Sequence, residues 1–242
     1  MVASGNVGLV FVSHSSRIAE GLVDLARQMA PTATLVAAGG TDDGRIGTSF
    51  DLVSAGIAEA DAGGGVVVLC DLGSAILTAE TALDFLDDEQ RDRVRIVDAP
   101  LVEGGVAAAV AAEAGDDLER VVAAAESARA TARGADAGGG GAAEASAVVA
   151  AGAEPATAAH HRRITLVNAD GLHARPAAEL VKLASTFPQK VTVNGTDAKS
   201  LLGIMSLGLT KGATVEIASD DPDGRDAVEA IAALAESGFG EH

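Results

Sequence analysis

Residues 132–159 hold the run Gly138-Gly139-Gly140-Gly141 within a stretch dominated by Ala, Gly, Ser and Thr. Such a segment has too little large apolar surface to offset the entropy of ordering its backbone, so it reads as a flexible linker. It divides the 242-residue chain into two parts, 1–131 and 160–242, each of which must build its own core. A flexible linker of about 28 residues spans roughly 30 Å. That is short enough to hold two small domains at high effective concentration.

In the first part, short apolar runs alternate with helical patterns. Residues 7–12, 34–37, 66–70 and 94–97 are nearly all apolar. Between them, Ile18, Leu22, Leu25, Ala26 and Met29 repeat at helical spacing, with Ser15 or Ser16 as N-cap. Further helices are expected over 49–60 and 74–86, and two alanine-rich ones near 102–113 and 117–130. Continuously apolar strands alternating with helices predict an α/β domain, a parallel sheet covered on both faces. Ligands of such sheets sit beyond the carboxyl ends of the strands. His14 and Asp71 both follow strand ends, which places them to meet there.

The second part follows another order. Strands are expected at 163–167, 190–194, 196–199 and 214–218, and helices at 176–187, 200–207 and 223–237. Asn194-Gly195 marks a hairpin turn. This order predicts a small α+β domain, helices packed on an antiparallel sheet.

Composition narrows the function classes. The net charge is −18, with 8 basic and 21 acidic residues in 1–131. Such a chain repels nucleic acids and anionic lipids, and basic protein surfaces suit it better. Cys70, the single cysteine, ends an apolar run and reads as a core residue, so disulfides and thiolate metal sites are excluded. No apolar run approaches the ~20 residues of a membrane span, and no signal peptide is evident, so a cytoplasmic protein without membrane insertion is expected.

Three segments carry candidate chemistry. In Gly171-Leu172-His173-Ala174-Arg175-Pro176, a histidine and an arginine open a helix. A helix N-terminus attracts anions, and a guanidinium matches phosphate oxygens, so His173 suits a phosphoryl carrier. A capping histidine beside a surface arginine is the plain alternative. In Val12-Ser13-His14-Ser15-Ser16, a second histidine stands between strand and helix, flanked by hydroxyls. An ordinary turn histidine is the alternative there. Asp71-Leu72-Gly73-Ser74 supplies a carboxylate to orient that imidazole and a hydroxyl to cap a helix or touch a phosphoryl group. The intervening Gly39–Phe50 segment lacks the phosphate-loop and dinucleotide patterns, but its backbone and Gly40 and Thr41 are candidates to line the site, as Ser15 is. His160 and His161 lack supporting metal ligands and are expected in the linker's last turn.

The segment around His173, with Lys199-Ser200-Leu201-Leu202-Gly203-Ile204-Met205, resembles the histidine-containing phosphocarrier (HPr) family of bacterial phosphotransferase systems. That resemblance implies an open-faced α+β sandwich, phosphorylation of His173 and contact of Arg175 with the phosphoryl group. Ser200 matches a regulatory serine of some members, but it equally reads as a helix N-cap. The hairpin between Phe187 and Ser200 is a few residues shorter than is usual there, which predicts shortened strands. The apolar residues from Leu201 to Leu207 are expected to mix core packing with an exposed docking patch. Residues 5–130, through Val-Ser-His-Ser-Ser, Gly-Gly-Thr-Asp-Asp-Gly and Asp-Leu-Gly-Ser-Ala, resemble the mannose-type IIA family. Within it they are most similar to the phosphoryl-donor subunits of phosphoenolpyruvate-dependent dihydroxyacetone kinases.

This implies a flavodoxin-like sheet, a homodimer formed through that domain, His14 as phosphorylated residue and Asp71 as its partner. It further implies no cofactor. The expected partners are enzyme I, the kinase's ADP-binding subunit and a separate HPr. Together the two resemblances imply a phosphotransferase relay from enzyme I through His173 and His14 to ADP, for phosphorylation of dihydroxyacetone. A IIA component of a sugar transporter and a phosphorylation-dependent regulator are the alternatives.

Overall fold

The four apolar runs of the first part become four parallel strands. The computed structural model describes residues 5–136, 159–168 and 171–240, with 130–136 described by their backbone alone. Strands β1 (Gly8–Ser13), β2 (Leu35–Gly39), β3 (Val66–Cys70) and β4 (Val94–Val97) lie in the order β2-β1-β3-β4. The sheet's two faces split the apolar residues by strand alternation. Leu9, Phe11, Val67 and Leu69 join α1 (Ser16–Arg27), α5 (Leu101–Glu113) and α6 (Leu118–Asp136). Val10, Val12, Val66 and Val68 face α2 (Phe50–Ala60) and α3 (Gly73–Asp84). The expected flavodoxin-like α/β arrangement is therefore present. The connections leave β1 and β3 on opposite sides, which creates a crevice at their carboxyl ends.

One short helix, α4 (Asp88–Arg91), was not legible; the Asp87 side chain accepts from Gln90 N–H at its start. Helix α6 continues to Asp136, into the segment that reads as linker from 132, and 137–158 lie outside the described residues.

The second part forms the antiparallel sheet β5-β8-β6-β7, from β5 (His160–Thr165), β6 (Thr192–Val193), β7 (Thr196–Asp197) and β8 (Thr214–Ser219). Helices α7 (Ala174–Ser185), α8 (Leu201–Ser206) and α9 (Arg225–Glu236) complete it. The hairpin strands are two residues each, as the short Phe187–Ser200 segment predicts. Asn194 and Gly195 both take positive φ, 48° and 82°, the pairing a tight primed turn requires. One expectation fails. His160 and His161 do not end the linker but pair with Ser219 and Ala218 in the sheet, because β8 extends far enough to supply partners.

Of the mix of core packing and exposed docking patch expected from Leu201 to Leu207, the core packing is present and the exposed part is corrected. Leu201, Leu202 and Ile204 are buried, and Met205 and Leu207 half-buried. Helices α5 and α6 of the first domain pack over α7 and α8 and cover that face.

Candidate functional site

Parallel pairing puts Val12 beside Cys70, so the residues that leave β1 and β3 emerge side by side. His14 and Asp71 meet there as the sequence predicts. The ring Nδ1 lies 2.9 Å from Asp71 Oδ1. The other carboxylate oxygen accepts the His14 backbone N–H at 2.8 Å and the Ser13 hydroxyl at 2.8 Å. Ser13 is fully buried, and its oxygen also accepts the Ser15 N–H at 3.1 Å. Burial pushes the Asp71 carboxyl up, but the hydrogen bonds from His14 and Ser13 outweigh it and hold the group below its ordinary range. An ionised carboxylate can only accept, so Nδ1 carries the proton and Nε2 the lone pair.

Nε2 faces Ser74 Oγ at 2.7 Å. Asp71 is thus spent on the imidazole rather than on capping, and helix α3 starts after Leu72 with no side-chain cap. Helix α1 likewise starts after Ser15 without one. Two helices therefore open near His14 with no side chain on their leading N–H groups, those of Ser16 and Arg17 and of Gly73 and Ser74, a setting that favours a bound dianion. Burial and the carboxylates of Asp71 and Glu80 push the neighbouring Cys70 thiol up to about 12. It stays protonated and is no rival nucleophile.

The glycine-rich loop is tied to the same centre. Gly47 N–H donates to His14 O at 2.9 Å, and Thr48 and Thr78 hydroxyls meet at 2.8 Å, joining the loop to α3. Gly40 and Thr41 belong to this loop, but their donors are committed elsewhere. Gly40 N–H donates to Ser13 O, and the Thr41 hydroxyl donates to Asp43 at 2.6 Å. Gly40 takes φ +80°, which explains the glycine. Ser13 is the residue that sequence reasoning did not single out. Its signal was a hydroxyl at the last strand position, directly before the histidine.

The second histidine is placed by a different device. His173 is the N-cap of α7, with its side chain exposed, and Arg175 in the first turn is exposed beside Glu179 at 3.8 Å. Gly171 takes φ +68°, and a Cβ there would stand 2.2 Å from Leu209 O. Leu172 N–H donates to that same carbonyl. The turn before His173 therefore requires glycine. Ser200 is the N-cap of α8 and accepts from Gly203 N–H at 3.2 Å, the role its sequence position suggests. Among the described residues no cluster of metal-ligating side chains occurs, and no helix is long and apolar enough to cross a membrane.

The comparisons divide the chain where the fold does. Residues 8–122 match the family model described as the PTS system fructose IIA component, and residues 160–237 the one described as the PTS HPr component phosphorylation site. The phosphoryl donor subunit DhaM of the PEP-dependent dihydroxyacetone kinase of Escherichia coli is 37% identical over 97% of this chain. The chain spans 51% of that protein's length, about half, as it does for similar relatives. The donor subunit of kinase 2 in Listeria innocua is 45% identical across 43% of this chain and 84% of its own length. The phosphocarrier protein HPr of Cupriavidus necator is 43% identical across 33% of this chain and 94% of its own.

Proposed function

The chain belongs to the family of phosphoryl donor subunits of PEP-dependent dihydroxyacetone kinases, and from that premise we propose that it is a two-step phosphohistidine relay. In this reading enzyme I charges His173, the group passes to Nε2 of His14, and His14 delivers it to ADP on the kinase's nucleotide-binding subunit. Dihydroxyacetone is then phosphorylated outside this chain, so the carbohydrate chemistry belongs to partners and the chain acts as a phosphotransferase subunit. The observation that carries the reading is the Asp71–His14 contact, which fixes Nδ1–H and leaves Nε2 nucleophilic between two helix N-termini.

The step balances simply. The N–P bond to His173 breaks as the Nε2–P bond forms, through a loose transition state with donor and acceptor nitrogens in line. Giving up the Nε2 lone pair makes the His14 ring positive. The Asp71 carboxylate at Nδ1 stabilises that charge without taking the proton. Ser74 Oγ, which faces Nε2, turns to donate to a phosphoryl oxygen. At His173 the first-turn N–H groups of α7 and the Arg175 guanidinium supply the corresponding charge stabilisation. Asp71 and Arg175 thus assist, while the two histidines carry the group. A homodimer through the first domain fits the reading, since relay between copies is chemically equivalent.

The test follows label from phosphoenolpyruvate, with enzyme I supplied, through wild type, His173→Ala and His14→Ala. Addition of the nucleotide-binding subunit, ADP and dihydroxyacetone should discharge wild type but not His14→Ala. Label that remains on wild type with the complete kinase present would refute the dihydroxyacetone assignment.

A further inference from the structure

The elements that pack across the junction between the domains are α5 and α6 from the first and α7 and α8 from the second. Leu202 sits among Ala107, Ala124 and Ala128. At one end Lys182 Nζ reaches Glu113 Oε1 at 3.2 Å. Glu113, whose other oxygen accepts the N–H and hydroxyl of Thr32, is a half-buried residue whose side chain is 5% exposed.

That contact fixes the orientation. Thr32 precedes β2, so Glu113 marks the amino end of the parallel sheet, opposite to the carboxyl end that carries His14. The second domain is therefore held along α5 and α6, and not over the mouth between α1 and α3. His14 Nε2 meanwhile faces Ser74. In-line transfer needs Nε2 roughly 3–3.5 Å from a phosphorus that is still bonded to the donor nitrogen. The elements that pack most extensively across the junction do not include α1 or α3, which flank His14.

Buried residues of both domains, among them Ala111, Val181 and Leu201, join in one apolar cluster at the junction. Its first-domain side is largely alanine, which offers little area per residue. A half-open cleft of about 370 Å³ cuts into it, between Ala111 and Arg120 on one wall and Val181, Lys199 and Ser200 on the other. Residues that face each other across such a cleft make no contact over it. Inter-domain contacts of this kind form and release more readily than a domain core.

We propose that the α5/α6 surface is a resting dock for the chain's own second domain, and that docking there competes with delivery from His173 to His14. The inference rests on the relay reading. A domain that must leave the dock is competent for only part of the time, and the observed transfer rate is reduced by that fraction. Any substitution that weakens the dock and spares both histidines should then accelerate transfer.

The variant Ala128→Glu places a charge opposite Leu202 on the first domain and leaves the segments that carry His14 and His173 unaltered. Glu113→Gln is the milder test, since an amide keeps an acceptor for Thr32 but loses the ion pair. The full chain is charged with labelled phosphoenolpyruvate and enzyme I. Label on the His173 and His14 peptides is then read by mass spectrometry during the first turnovers. The expected result is a rise of about fivefold or more in the rate of appearance at His14 for Ala128→Glu, and a smaller rise for Glu113→Gln. Small-angle scattering should show a larger radius of gyration. An unchanged or slower rate at His14 in both variants, with His173 charged as in wild type, overturns the dock. Absence of label at His14 in wild type overturns the relay itself, and the dock with it.

Discussion

Asp71 holds His14 at two atoms, accepting from the backbone N–H through Oδ2 and facing the ring Nδ1 through Oδ1, at 2.8 and 2.9 Å. The loop and the ring are thereby oriented by one carboxylate. Asp71→Asn keeps the shape but offers an amide that donates as readily as it accepts, so the ring can take the wrong tautomer. Phosphorylation at His14 should slow between about 10² and 10⁴-fold. Charging of His173 in the same molecule should not change, and peptide-resolved label reads both.

Ser13 acts through Asp71. It is buried, donates to Oδ2 and accepts from Ser15 N–H, so it fixes both the carboxylate and the start of α1. Ser13→Ala should cost about 1 kcal/mol of stability and slow transfer to His14 on the order of tenfold. Ser13→Thr keeps the hydroxyl in a strand position and should recover most of the rate. ¹⁵N shifts of the His14 ring should show mixed tautomers in the alanine variant, an effect that lost stability alone would not produce.

The site was legible where adjacency in the chain dictates adjacency in space. Two parallel strands paired in register place His14 and Asp71 together once β1 and β3 are recognised as neighbours. Loop chemistry was less legible. Gly40 and Thr41 look like phosphate contacts, yet their donors close the loop on Ser13 and Asp43. That the first domain covers Leu201 and Leu202 was not legible. Helical spacing marks an apolar face without saying which domain packs on it, and alanines on α5 and α6 give no strong signal.

The pH dependence of stability should follow Asp71 and Glu113. Each is pushed up by burial, but both are held below their ordinary values near 3.8 and 4.5. His14 and Ser13 hold Asp71 down, and Thr32 and Lys182 hold Glu113. A carboxylate with a lower pKa folded than unfolded stabilises the fold fully above its unfolded value. That stabilisation is lost as pH falls through the folded value, because the unfolded chain takes up protons first. Melting curves of wild type and Glu113→Gln should therefore differ most at neutral pH and converge at pH values below the ordinary carboxylate range. A difference that stays constant down to the acid limit would contradict this assignment.

Gly171 tests the second site separately. An alanine there must hold φ near +68° and bring its Cβ to 2.2 Å from Leu209 O, the carbonyl that accepts Leu172 N–H. Neither strain relaxes without moving the turn that presents His173. Gly171→Ala should cost about 2 kcal/mol or more, which in a domain of this size lowers its melting temperature by about 8 °C or more. The first domain has its own core on both sheet faces, so delivery from His14 to ADP should survive if His14 is charged by added HPr. Loss of charging at His173 together with intact chemistry at His14 is the expected pattern. Equal loss at both sites would mean that the domains fold as one unit.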